Sequence, residues 1–463
     1  IIQGLTNAHV AKLTTDQIVA LTTSQAAALT GDQLGAMSTA QLASMETRDL
    51  AALRTSQMYG LTTDQAANLT TSQVAALTTS QFVQLSDVQV GAINTAGIVA
   101  LTTSQAAALS FTQALGMSTS QVAKFETADL VQLKTSVIQA LSTAHIAALT
   151  TDQVAALTTS QVSKLSAEQI GGMTTAGIAA LTTDQIPTLT ASQMASLTTT
   201  QVSKIEVADL ALLKTSIIQG LSTAHIAQLT TSQIQALTNA QAAALTADQI
   251  GAMSTTQLAK METSDLAALR TSQLYTLTTE HIASLTTDQI AALTTTQVTK
   301  LSAEQVGALT ATQLPSITTA QAAVLSATQI VALTTDALAA MQTADLMALT
   351  TSAVRALTTD QMANLTTDQL ASFSLAQETA LTAAQITAAG GAGNFTNANS
   401  PLILDLNGDG VQTVGISQGV RFDLTATGVQ HEVGWVSASD GFLVLDRNGD
   451  GQISSGRELF GQS

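Results

Sequence analysis

Between Leu5 and Leu381 an apolar anchor returns at every eighth residue, 48 times, without one insertion or deletion. Most anchors are Leu. The exceptions are Met37, Met45, Met117, Met173, Met253, Met261 and Met341, then Ile93, Ile205 and Ile317, then Phe125 and Phe373. A register this strict restricts the chain to a repeat architecture, in which one small unit is stacked many times and buries its apolar face against its neighbours. The unit is well represented by Leu285-Thr286-Thr287-Asp288-Gln289-Ile290-Ala291-Ala292.

The octad reads as a helix start. Thr286 stands at the N-cap and Gln289 three residues on, the spacing of a capping box. Leu285 and Ile290 fall at the two positions of a hydrophobic staple. The Asp or Ser before the Gln places an acceptor in the first turn, where unpaired N–H groups and the helix dipole favour it. Each octad therefore asks for a new helix before the last has made two turns.

Two rivals fail or fall behind. In one continuous α-helix the anchors drift about 80° per octad, so the apolar stripe faces no single partner. In a flat strand the anchor and the Ile five residues later point to opposite faces. A β-solenoid remains the alternative, because Thr suits β structure. The favoured fold is an all-α solenoid of very short helices, stabilised by stacking because none of them is stable alone.

A longer period overlays the octads. An acidic octad appears as Met45-Glu46-Thr47-Arg48-Asp49-Leu50 and returns at Phe125, Ile205, Met261 and Met341, at spacings of ten, ten, seven and ten octads. The short spacing has lost three octads. A solenoid tolerates the loss of a whole coil, so one coil is expected to hold about three octads. A basic octad follows each of the first four acidic ones, so that Glu46 and Arg54, Glu126 and Lys134, Glu206 and Lys214, and Glu262 and Arg270 share one octad position. Ion pairing between successive helices is the expected role. His9, His145, His225 and His281 replace the octad Gln and are expected to cap helices locally, since they sit too far apart to chelate one metal.

Composition excludes several classes. The net charge of −17 and the lack of a basic patch argue against nucleic acid. The absence of Cys excludes a disulfide scaffold and Cys-ligated metal. Thr interrupts every apolar run, so no membrane span is expected. No nucleophile–base–orienter set is visible, so the chain is not expected to be an enzyme. Ile1-Ile2-Gln3-Gly4-Leu5 matches Ile217-Ile218-Gln219-Gly220-Leu221, which suggests a start within a repeat.

The expected organisation is a solenoid over residues 1–388, a flexible linker over 389–400 and a small α+β module over 401–463, with the module cut short by the end of the sequence. The segment after residue 388 carries eight acidic and three basic residues, so charge density rises there. It holds two D-x-N-x-D-G hexads, Asp405-Leu406-Asn407-Gly408-Asp409-Gly410 and Asp446-Arg447-Asn448-Gly449-Asp450-Gly451. These are the opening half of an EF-hand loop. Ca²⁺ takes six to eight hard oxygens, and side chains at loop positions 1, 3 and 5 converge on one point. The candidate ligands are Asp405, Asn407 and Asp409 with the Val411 carbonyl, and Asp446, Asn448 and Asp450 with the Gln452 carbonyl. Position 12 of the second loop is Arg457, and Glu458, one residue late, is a further candidate.

The stretch from Pro401-Leu402-Ile403-Leu404-Asp405 through Val420-Arg421-Phe422-Asp423-Leu424, Gly434-Trp435-Val436 and Asp440 to Glu458-Leu459-Phe460-Gly461 resembles the EF-hand-like calcium-binding module of large repetitive proteins. Those proteins, RTX-like toxins and adhesins among them, are exported by Gram-negative bacteria through type I secretion. The glycine-rich RTX nonapeptide itself is absent. The resemblance implies an extracellular or cell-surface protein loaded with Ca²⁺. The expected function is a structural spacer in such a protein, with a calcium-stabilised C-terminal module. The alternative is an adhesin module that binds a glycan or ice through regular Thr rows.

Overall fold

The computed structural model describes residues 2–395 and, beyond them, residues 403–405, 413–414, 419–423, 430–433, 435–436, 440–442, 444 and 452–453. The chain divides into two compact units, Ile1–Ala236 and Leu237–Ser463. The same octads build the first unit and the second as far as Ala388.

Most octads fold as their capping residues dictate. Among the described residues there are 45 α-helices, all of four to six residues, and strands occur only after residue 402. The fold is therefore the all-α solenoid of very short helices, and the β-solenoid is excluded. In the octad of Leu285 the helix spans Thr287–Ala292, and Thr286 takes the extended N-cap conformation. The Thr286 N–H donates to Gln289 Oε1 at 2.9 Å, and the Gln289 N–H donates to Thr286 Oγ1 at 3.2 Å. The next anchor, Leu293, is extended at φ −57°, ψ 131° and turns the chain into the following octad. Both Ile290 and Leu293 are buried, and the two staple positions of most octads supply the core in the same way.

Three octads make one coil. Gly31–Gly35 packs on Thr55–Gly60, and Asp87–Ala92 on Phe111–Gly116, each three octads on. In the second unit Ala303–Gly307 packs on Ala327–Ala332 at the same spacing. Coils approach closely enough that some side chains must be absent. A Cβ on Gly60 would collide with the backbone of Gly31, and one on Gly35 with the Gly60 carbonyl.

The octad Gln does more than cap its own helix. Gln289 Nε2 donates to the carbonyls of Leu258 and Met261 at 2.8 and 2.7 Å. Those carbonyls belong to the coil beneath. The same pair of bonds recurs in the first unit, as from Gln65 to Leu34 and Met37. Gln65 and Gln289 are each 2% exposed. A buried amide needs partners for both its ends. Here Oε1 closes the helix and Nε2 ties the coil to its predecessor.

The chain does not leave the repeats at residue 388, as the glycine-rich composition suggests. Gly390 and Gly391 adopt positive φ, which glycine allows without a Cβ penalty. The Gly391 N–H donates to the Ile386 carbonyl at 2.9 Å. Phe395 is thereby brought back onto Phe373, ring centroids 6.1 Å apart, and is buried. The first seven residues of the expected linker thus cover the last coil. Residues 396–400 lie outside the described set.

The tail contributes strands among the described residues. They are β1 (Ile403–Asp405), β2 (Thr413–Val414), β3 (Val420–Phe422), β4 (His431–Val433), β5 (Trp435–Val436) and β6 (Asp440–Phe442). All pairs are antiparallel and nested: β3 with β4, β2 with β5, β1 with β6. Phe422, Trp435 and Phe442 meet edge to face, with centroids 5.0 and 4.6 Å apart, and form the described apolar cluster of the tail.

Candidate metal centre and the acidic octads

The nested ladders fix where the two hexads begin. Asp405 closes β1, and its backbone is paired with Asp440. Seven residues, 406–412, separate β1 from β2, while three, 437–439, separate their partners β5 and β6. The surplus falls on the arm that carries the first hexad, so both ends of that segment are tied to paired strands. The second hexad follows β6. Because β1 and β6 are antiparallel, the strands that precede the two hexads end at opposite ends of one ladder.

Of the candidate ligands, the described residues include Asp405, placed by its backbone at the end of β1, and Gln452, which is exposed. Asn407, Asp409, Val411, Asp446, Asn448, Asp450 and Glu458 lie outside the described residues. Among the described residues no group of three His, Cys, Asp or Glu side chains is placed to hold a metal. Asp423, in a hexad lacking the carboxylates of the other two, is buried beside Phe422.

All four octad histidines cap as expected, and His145 and His225 also reach the coil beneath. The Ser142 N–H donates to His145 Nδ1 at 3.1 Å, and His145 Nε2 lies 2.9 Å from the Met117 carbonyl. His225 repeats this against Ser222 and Leu197. With Nδ1 accepting, Nε2 carries the hydrogen and takes the place of the Gln amide.

The first acidic octad differs from the sequence expectation. Glu46 does not pair with Arg54 of the next octad. Arg48 Nε lies 2.7 Å from Glu46 Oε2, within the same octad. Arg54 Nε instead donates to the Ala27 carbonyl at 3.1 Å. The physical reason is the coil: from its N-cap position Arg54 reaches the coil beneath rather than back along the chain to Glu46. More important is the Asp three residues after the Glu of each acidic octad, or after Gln342 in the last of them. Asp49, Asp129, Asp209, Asp265 and Asp345 occupy the Gln position and are all buried. Both carboxylate oxygens of Asp49 and Asp265, and one of Asp209, are buried without a hydrogen-bond partner. Burial, then the neighbouring Glu, pushes the carboxyls of Asp129 and Asp209 above the usual range. The same causes raise Asp265 to about 6. At Asp345 burial raises the carboxyl, and the Thr319 hydroxyl, donating at 3.0 Å, partly offsets it. The signal for this burial lay in the alignment of octads, since each Asp stands where the others carry Gln.

No helix among the described residues is long and apolar enough to cross a membrane. The SPM domain matches residues 402–463. The chain is also similar to the iron-regulated protein FrpA of Neisseria meningitidis serogroup C, with 51% identity over 65 residues. That match covers 14% of this chain and 6% of FrpA, so the two share a small part of their lengths. The ALTTAQ repeat matches residues 10–47, 27–63, 42–79, 122–159, 162–199, 202–239, 258–295 and 338–375, which together cover more than half of the chain. With its octads, its capping boxes and its three-octad coils, the chain belongs to the ALTTAQ repeat family.

Proposed function

We propose that the repeats act as a spacer whose length is set by the number of coils, in a secreted bacterial surface protein. The observation that carries this reading is the Gln289 pattern of bonds to Leu258 and Met261, repeated through the octads. Each coil is joined to its predecessor by the same local rule, so length can be added or removed without redesigning the rest. The similarity to FrpA and the resemblance of the tail to calcium-binding modules of exported proteins support an extracellular setting. Ca²⁺ is the proposed partner of the tail. The donor set of the two hexads, carboxylate and amide oxygens only, suits a hard cation.

The alternative, a ligand surface of regular Thr rows, has less support. Thr63 and Thr135 stand in one register, but Asp87 and Phe111 occupy the two coils between them. A periodic hydroxyl array is interrupted there.

The test uses the natural absence of Cys. Thr63 and Thr159 are both exposed, share a register and stand four coils apart within the first unit. Spin labels at these two positions should give one sharp distance. Deleting residues 85–108, one coil, should shorten it by one helix-packing step, about 8–10 Å, with no change in helical signal per residue. A broad distance, or one insensitive to the deletion, would refute the spacer.

A further inference from the structure

We propose that Asp129, Asp209 and Asp265 each hold a proton and donate a hydrogen bond to the coil beneath, which makes these octads acid-strengthened joints. In a Gln octad, Nε2 donates to two carbonyls of the coil beneath, as Gln161 does to Leu133 and Leu130 at 2.9 Å each. The same register sets Asp129 over the carbonyls of Leu101 and Ile98, and Asp209 over those of Leu181 and Ile178. It sets Asp265 over that of Leu237. An ionised carboxylate has only acceptors to offer there. It also faces carbonyls at the C-terminal end of a helix, where the dipole is negative. A neutral carboxylic acid resolves both problems, because its O–H replaces the amide donor while its other oxygen still accepts.

Among the described residues, the helices packed on these three Asp helices bring no cation. The helix of Asp209 packs on Ile186–Thr188 and Thr231–Gln235, neither of which carries a titratable side chain. That of Asp129 packs on Thr103–Ala108, which has none, and on Thr151–Ala156, which brings Asp152. That of Asp265 packs on Asn239–Ala244, which has none, and on Thr287–Ala292, which brings Asp288. Glu126, Glu206 and Glu262, three residues before each Asp, add negative charge. The cations nearest in the chain, Lys124, Lys134, Lys204, Lys214, Lys260 and Arg270, are all exposed. Asp49 is set apart because Arg48 lies 3.7 Å from it, and Asp345 because Thr319 donates to it.

The raised carboxyls of all three residues agree with this. A folded-state pKa above the unfolded one gives stability that is complete below the unfolded value, about 4, and is lost as pH rises through the folded value. For Asp265 that loss begins near the unfolded value and is complete once pH has passed about 6. The joints are therefore firm in mild acid and looser at neutral pH.

The test compares the full chain with the variant Asp129→Gln/Asp209→Gln/Asp265→Gln, which restores the ordinary octad. Thermal unfolding of the helical signal is followed at pH 5 and pH 7.5 in the presence of a chelator. The wild-type midpoint should fall relative to the variant as pH rises, with the variant more stable at pH 7.5. Hydrogen exchange, corrected for intrinsic rate, should show coils around residues 178–213 opening more at pH 7.5 in the wild type alone. Parallel pH profiles for the two proteins would overturn the proposal. So would a pH 7.5 deficit that millimolar Ca²⁺ without chelator erases in the wild type but not in the variant, since a cation would then occupy the place of the proton.

Discussion

Gln289 Nε2 stands 2.7 Å from the carbonyl of Met261, and its Oε1 stands 2.9 Å from the N–H of Thr286. One buried amide thus serves two purposes, closing its own helix and fastening it to the coil beneath. Replacing Gln289 by Leu keeps bulk but leaves the Thr286 N–H and two carbonyls without this partner. Each unsatisfied buried group costs about 1–3 kcal/mol. In a stacked repeat the loss stays local. Gln289→Leu should therefore reduce hydrogen-exchange protection in the coils holding residues 258–293 while leaving the first unit unchanged. Uniform protection after the change would show that the amide bonds are dispensable.

The three-octad coil makes a second prediction. Removing residues 61–84 takes out three whole octads and leaves every later Gln above an anchor carbonyl of the coil beneath. Removing residues 65–68 takes out half an octad and breaks that relation for the coil that follows. The first deletion should retain the helical signal per residue and a cooperative transition. The second should lower the unfolding midpoint and strip protection from residues 69–92. Equal effects would mean that the stacking does not depend on register.

The spacing of the acidic octads already carries this arithmetic. Ten octads and seven octads each exceed a whole number of three-octad coils by one octad, so each successive acidic octad moves on by one side of the coil. Asp49, Asp129 and Asp209 therefore take the three sides of the first unit in turn. The loss of one coil kept that progression, whereas the loss of one or two octads would not have.

Much of this was legible in the octad. Thr286 and Gln289 announced the capping box, Leu285 and Ile290 the core, and the three missing octads the coil. The inter-coil bond was not, because a capping box uses only Oε1, and the partner of Nε2 becomes visible once the coil length is known. The first acidic octad misled for a related reason. Glu46 and Arg54 share an octad position, which suggested a pair, but neighbouring octads lie on different sides of the coil. Phe395 was hidden behind glycines that read as a linker, although Gly390 and Gly391 are what allow the chain to fold back. In the tail, sequence located the hexads, and the strand register added that the strands preceding them end at opposite ends of one ladder.

Asp345 offers a pH prediction of its own. The Thr319 hydroxyl is its recorded donor, and removing it by Thr319→Val takes away the one influence that lowers the carboxyl. The folded-state pKa then lies further above the unfolded value, so more stability is lost as pH rises. Thr319→Val should cost about 1–3 kcal/mol near neutral pH and less in mild acid, where the protonated carboxyl needs no donor. Urea unfolding of the wild type and variant at pH 7.5 and pH 4.5 measures the difference. A larger penalty at pH 4.5 would contradict the assignment.

Calcium binding by the tail has a built-in reporter. Trp435 is the one tryptophan in the sequence, and its ring lies 4.6 Å from that of Phe442 on β6, just before the second hexad. Asp446 and Asp450 place two carboxylates in one short loop, where they repel until a cation draws them together. Ca²⁺ binding should therefore order the chain that continues from β6 and change the emission of Trp435. At millimolar Ca²⁺ and a Kd of about 10⁻⁴ M, the stabilisation is about 1.4 kcal/mol. Titration of the full chain should give a saturable change in emission and a matching heat. Asp446→Ala/Asp450→Ala should remove the part of both that belongs to the second loop, with the helical signal of the repeats unchanged. Mg²⁺ should be a poor substitute, because it demands a tighter octahedral shell and gives up its waters reluctantly. If neither the emission nor the heat responds to Ca²⁺ in the wild type, the hexads are turns rather than metal loops, and the proposal of a calcium-stabilised tail falls.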